Sequence, residues 1–216
     1  MRIVKPEWRI VALTEADPTR LMQHLEAMGR ICYQSEDAIT ENSYTEFLKK
    51  IIKRGHEAVL EHSTVTAVVI CDRGVSHEVV RHRVASYCQE STRYCNYSKG
   101  KFGEEITVVE PPFFEPGSSQ YEVWARACDQ AESAYFDLLI RGATPQEARS
   151  VLPNSLKTQL AITMNIREWR HFFRLRCGKG AHPQMIELAC KGLVEFYDDF
   201  PCLFEDIYQE VFCNET

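Results

Sequence analysis

RHRVASYCQESTRY, residues 81–94, sets three basic side chains in a row, Arg81, His82 and Arg83, and follows them with Ser86, Ser91 and Arg93. The chain of 216 residues has a formal net charge of −6, whereas residues 81–93 hold three Arg against one Glu, a local reversal of sign. Like charges this close repel unless an anion sits among them, and arginine is the planar, always-charged fork that suits phosphate. Two readings stand: a solvated basic helix end, as for most short basic runs, or the site of an anionic, phosphorylated ligand. Helical spacing favours the ligand. Gly74-Val75-Ser76 reads as a turn into a helix with Ser76 as its N-cap. Val79, Val80 and Val84 then mark the apolar side, and Arg83 leaves from that same side. An arginine on a buried stripe needs a partner.

The composition, 44% apolar and 26% charged, is that of an ordinary soluble globule. The length fits one domain with a core of its own. No apolar run approaches the ~20 residues that cross a bilayer, and MRIVKPEWRI lacks the apolar stretch of a signal peptide. Nine Cys, without paired CxxC spacing, indicate neither a zinc site nor a disulfide framework; reduced thiols in a cytoplasm are the simplest account. A pI near 5.7 disfavours nucleic-acid binding. No GxGxxG or GxxxxGK[ST] occurs, which leaves a Rossmann or P-loop site unsupported.

Along the chain, residues 8–13 read as an edge strand. Asp17-Pro18 caps a helix carrying Leu21, Leu25, Met28 and Cys32. Ser43 and Glu46 form a capping-box pattern for the next helix. Residues 64–71 and 104–109 read as buried strands. PPFFEPGSS, residues 111–119, is the best candidate for a linker. A long helix follows over residues 120–139, then a capping box at Thr144–Glu147, a strand at 156–164, and helices starting at Asn165, at Pro183 and near the C-terminus. Helices and strands mix without βαβ alternation, which gives the α+β class. The expectation is a single domain over residues 1–216, its central, mostly antiparallel sheet flanked by helices, with long helices in the C-terminal half.

NIREWRHFFRLR, residues 165–176, puts Ile166, Trp169 and Phe173 on one helical face and Arg167, Arg170 and Arg174 on the opposite, solvated side. Arg176 falls within the apolar stripe. An unpaired buried guanidinium costs several kcal/mol, so Arg176 is either salt-bridged in the core or lines a pocket holding an anion or polarised carbonyl. In GHEAVLEH, residues 55–62, His56 and His62 are six apart, not the i, i+4 spacing of a helical zinc pair, and no metal site is expected.

These three stretches together resemble the flavin-dependent thymidylate synthases. That family's signature is RHR, seven residues, then Ser, and Arg81-His82-Arg83, Ser91 and Arg93 match it. Asn165 and Arg176 match its Asn opening a helix and its Arg eleven residues on; Arg149 in ARSVLP matches a further family arginine that holds the nucleotide. The resemblance implies FAD as cofactor, dUMP as substrate, methylenetetrahydrofolate as carbon donor, NADPH as reductant, and a homotetramer with shared sites. It implies flavin contacts for His62, Thr64, Arg81, His82, Arg83, Gln89, Asn165, Arg167 and His171, and nucleotide contacts for Glu78, Arg81, Gln89, Ser91, Arg93, Arg149 and Arg176. Arg176 would stabilise charge developing on the pyrimidine. Ser91 would sit beside dUMP, positioning it rather than attacking it, since no base is evident nearby.

Some positions depart from the family's common form. Glu78 stands where many members have Gln: it can accept from a sugar hydroxyl and would repel phosphate. Cys88-Gln89 replaces Asn-Glu, His171 replaces a flavin-contacting Asn, and two extra residues lie between Arg176 and His182. Pro201-Cys202 resembles the nucleophile of the unrelated cysteine-dependent thymidylate synthases, but with no adjacent His or Arg it reads as packing. The alternative from another class is a nucleotide- or flavin-binding regulatory protein without chemistry; a third reading, a metal-dependent phosphohydrolase, would lose its activity to a chelator.

Overall fold

A computed structural model describes residues 1–100 and 103–213. Its strands are β1 (Arg2–Val4), β2 (Glu7–Leu13), β3 (Thr64–Asp72), β4 (Ala85–Gln89), β5 (Thr107–Val109) and β6 (Lys157–Asn165). Its α-helices are α1 (Pro18–Ile31), α2 (Ser43–Lys53), α3 (Arg73–Val79), α4 (Ser119–Ile140), α5 (Pro145–Ala148), α6 (Ile166–Arg176), α7 (Pro183–Asp199) and α8 (Pro201–Phe212), with a 3-10 helix at Glu57–His62. Four strands form an antiparallel sheet in the order β2-β3-β6-β4, and β1 pairs with β5 in parallel. The α+β expectation, the mostly antiparallel sheet and the long C-terminal helices are all observed, and β2 is an edge strand.

The chain divides into two compact units. The first comprises Met1–Glu7, Val69–Arg81 and Cys88–Leu160. In its core, α4 turns Cys128 and Tyr135, two helical turns apart, onto Ile106, Val108, Ala148 and Leu156. Ser118 starts α4 by accepting the Tyr121 N–H at 3.2 Å, and Trp124 donates its indole N–H to Ser155 Oγ at 2.9 Å. The segment 111–119, expected as a linker, lies inside this unit.

The second unit comprises Trp8–Val68, His82–Tyr87 and the chain from Ala161 on. Its core is aromatic: Trp8, Trp169, Phe172, Phe173, Phe196 and Phe204 meet at centroid separations of 5.0–6.4 Å. Rings of this size dominate core energetics. Gly192 lets the Trp8 ring lie against α7; a Cβ there would sit 2.5 Å from it. Asn165 begins α6, its Oδ1 accepting the Glu168 N–H at 2.8 Å.

Several local readings are corrected. Asp72, not Ser76, caps α3, its carboxylate accepting the Val75 N–H at 2.6 Å. The helix ends at Val79, before the RHR triplet, and residues 85–89 form strand. Val84 is 62% exposed and Arg83 is exposed, so Arg83 does not leave from a buried stripe. Ser43 is the first residue of α2, after Asn42 at the cap, and its hydroxyl donates to Glu26 instead, at 2.8 Å. The second predicted strand starts only at Thr107, because Glu104 adopts φ +59, a left-handed conformation that a strand excludes. Arg170 is buried, not solvated: α8 supplies Asp206 beside it.

Candidate active site

In the second unit, α6 and its cap Asn165 present one side to a cavity of about 510 Å³. Asn165, Arg167, Glu168, His171 and Arg174 line it together with Val84, Glu57 and Glu61. Arg167 bonds Glu61 at 2.5 Å, and Glu57 lies within 3.5 Å of Arg167 and 3.7 Å of Arg174. The wall thus carries both guanidinium donors and carboxylate acceptors.

At the edge of this cavity His82 is only 4% exposed. Its Nδ1 lies 2.9 Å from Glu168 Oε1, and its Nε2 accepts from Arg176 Nε at 3.1 Å. The Tyr87 hydroxyl donates to the His82 carbonyl at 2.6 Å. Burial pushes the His82 pKa below its ordinary value; the Glu168 hydrogen bond opposes this, and the Arg176 charge adds to it. Burial and the Glu168 charge push the Tyr87 phenol up to about 12. Both groups are therefore neutral at physiological pH. Ligand atoms of His82, Glu168 and His171 lie within 4.8 Å of one another. Both ring nitrogens of His82 are engaged, however, and a guanidinium faces one of them, so the cluster is arranged as a hydrogen-bond relay.

In the first unit, a second group forms around Thr92. Arg149 donates to Thr92 Oγ1 at 3.3 Å, and Arg93 donates to Gln146 Oε1 at 3.1 Å. Ser91 Oγ accepts the backbone N–H of Arg93 at 3.3 Å. Gln89 donates to Ser76 Oγ at 3.0 Å and to Thr158 Oγ1 at 3.2 Å, which fixes its amide. Two exposed guanidiniums, Arg93 and Arg149, thus belong to neighbouring residues of the Thr92 group, and such forks suit phosphate.

Asn165, Arg167 and His171 therefore gather at one cavity, with His82 and Arg176 joined beside it. Ser91, Arg93 and Arg149 gather separately in the first unit. His62 and Thr64 are exposed at the start of β3, where the Thr64 hydroxyl meets that of Thr14 at 2.8 Å, and neither lines the cavity. Arg81 is exposed and Glu78 half-buried on α3. The motif reading missed Glu168, whose signal was available: it stands three residues after the capping Asn165. It also missed Arg174 and Gln146. Cys202 is buried against Met22, and burial pushes its thiol pKa up to about 12, as packing requires.

The sequence matches the model of the family described as thymidylate synthase complementing protein, Thy1, over residues 14–202. It is 37% identical over 168 residues to the flavin-dependent thymidylate synthase of Pyrococcus furiosus, covering 77% of this chain and 68% of that one. With the enzyme of that name from Geobacter sulfurreducens it shares 35% over 185 residues, 82% of this chain and 78% of that one. The structure resembles that of the UMP/dUMP methylase PolB from Streptomyces cacaoi bound with 5-Br dUMP: the TM-score is 0.75 at 23% identity, over 95% of this chain and 96% of that one. That likeness is one of fold. The chain belongs to the Thy1 family and is an enzyme of the flavin-dependent thymidylate synthase kind.

Proposed function

We propose that the protein methylates dUMP to dTMP, with FAD as cofactor, methylenetetrahydrofolate as carbon donor and NADPH as reductant. The observation that carries this reading is the convergence of Asn165, Arg167 and His171 on one cavity, beside the buried His82–Arg176 pair. A volume of about 510 Å³ is in the range of cofactor sites, and a wall offering both donors and acceptors fits a heterocycle edged with both. Bound flavin supplies the redox chemistry. Asn165, Arg167 and His171 hold and orient the cofactor, with His62, Thr64, Arg81, Arg83 and Gln89 as further contacts.

Arg93 and Arg149 bind the phosphate, with Ser91 and Glu78 placing the nucleotide. Arg176, a permanent cation kept in orientation by neutral His82, stabilises charge that develops on the pyrimidine. A homotetramer with sites completed between subunits accounts for the exposure of Arg81 and Arg83 on a single chain. The nine cysteines are free thiols, which suits the reducing cytoplasm, and among the described residues no helix is long and apolar enough to cross a membrane.

The test is direct. Purified protein is expected to be yellow and to release tritium from [5-³H]dUMP, with dTMP formed only when NADPH and methylenetetrahydrofolate are present. A colourless protein that binds dUMP without releasing tritium would instead be the non-catalytic binding protein.

A further inference from the structure

We propose that Glu168 is a positioning residue: its carboxylate selects the tautomer of His82 and, through that ring, fixes the orientation of the Arg176 guanidinium. The role in turnover rests on the function proposed above; the tautomer assignment does not.

The chemistry of the three groups carries the inference. The Nε–H of arginine only donates, and it lies 3.1 Å from His82 Nε2. That nitrogen must therefore present a lone pair. A neutral imidazole has a single ring proton, so the proton is on Nδ1, which faces Glu168 Oε1 at 2.9 Å. The order is fixed from carboxylate to guanidinium: Glu168 accepts from His82, and His82 accepts from Arg176.

Glu168 is itself held at its backbone, since its N–H is bound by Asn165 Oδ1 at 2.8 Å. The His82 ring packs against Phe172 at 4.9 Å between centroids and against His171 at 5.5 Å, which prevents it from swinging away. The titratable and charged groups facing it are Glu168, Arg176 and His171, with the Tyr87 hydroxyl on its carbonyl. Without Glu168, the proton is free to move to Nε2. The ring would then point a donor at a donor, and Arg176 would lose the acceptor at its Nε.

The experiment has two arms on the full-length protein. In the first, wild type labelled with ¹⁵N-histidine is studied by NMR at mildly alkaline pH, without substrate. His82 is expected to show a protonated Nδ1 and a bare Nε2, and Glu168→Ala to shift it to a mixture of tautomers. The second arm is kinetic. Glu168→Ala is expected to lower kcat about 10- to 100-fold, the scale on which removing the carboxylate that orients a metal-bound histidine acts, with KM for dUMP little changed. Glu168→Gln, which keeps an acceptor oxygen, is expected to recover most of the rate. On a His82→Ala background, Glu168→Ala should add no further loss, because both act through one ring.

A wild-type His82 protonated at Nε2 overturns the proposal even if no variant folds, and so do losses that add in the double variant. Failure of wild type to turn over dUMP overturns the proposed function instead and leaves the tautomer result standing.

Discussion

Arg170 and Asp206 face each other through two hydrogen bonds, Nη1 to Oδ1 at 2.9 Å and Nη2 to Oδ2 at 2.6 Å. Their burial is unequal: the arginine side chain is 1% exposed and the aspartate 44%. Arg170 also donates to the Leu203 carbonyl, and Arg174 donates to Asp206 at 2.9 Å. This fork ties α6 to α8. Removing either partner has a different consequence, because the stranded group differs.

Asp206→Ala leaves a buried guanidinium without its counter-charge and is expected to cost about 3–5 kcal/mol. Arg170→Met leaves Asp206 half-exposed and still held by Arg174, and should cost clearly less. Urea unfolding followed by circular dichroism measures both; equal losses would contradict the asymmetry.

The same pair sets an acid limit on stability. Burial raises the Asp206 pKa, but hydrogen bonds and charge from Arg170, with the charge of Arg174, outweigh it and hold the carboxyl below its ordinary value. A depressed carboxylate contributes stability above the unfolded value of about 3.9 and loses it as pH falls through the folded one. The His82 pKa is also lowered, chiefly by burial. There the unfolded chain takes up the proton first, so stability declines as pH falls from about 6.5 toward the folded value. Unfolding free energy should therefore drop in two windows. Asp206→Asn should flatten the lower and His82→Gln the upper.

Arg176→Ala is expected to reduce turnover about 10²- to 10³-fold, the scale of one lost oxyanion donor, while the melting temperature stays near that of wild type. Half-buried at the end of α6, Arg176 is not a core residue like Arg170. Wild-type-like rates would remove it from the chemistry.

Ser91→Ala is expected to keep measurable activity. The Ser91 hydroxyl accepts a backbone N–H from Arg93, and among the described residues no histidine or carboxylate is hydrogen-bonded to it to activate it. Its loss should appear mainly in KM for the nucleotide. Abolished turnover with intact dUMP binding would point to a nucleophile.

Gly192→Ala should destabilise the protein by about 1–3 kcal/mol, the usual cost of overpacking. The added methyl meets the Trp8 ring at 2.5 Å, and that ring is enclosed by Trp169, Phe172, Phe173 and Phe196. Thermal unfolding of the variant checks this. A neutral result would mean that the indole moves.

Much of the scaffold was legible because its signals are local. Asp17-Pro18, Asn165 and Thr144–Glu147 cap their helices as their residue types require, since a side-chain oxygen satisfies N–H groups two or three residues away. Val65, Ala67, Val69 and Cys71 alternate inward along β3, as the two-residue period of a strand dictates. The RHR triplet misled, because Val79, Val80 and Val84 match a helical stripe, whereas the helix capped by Asp72 ends at Val79 and residues 85–89 are strand.

The sequence by itself determined the α+β class, most element boundaries and the motifs that mark the family, because propensity, capping and spacing act within a few residues. Only the tertiary structure decided which arginines are paired and with what. Arg167 and Arg170 are neighbours on one helix, yet Glu61 claims the first and Asp206 the second. Likewise Glu168, whose capping position marks a helix start but names no distant partner, meets a histidine 86 residues away. A guanidinium's partner is set by what folds over it, and its strength by how much water that fold excludes.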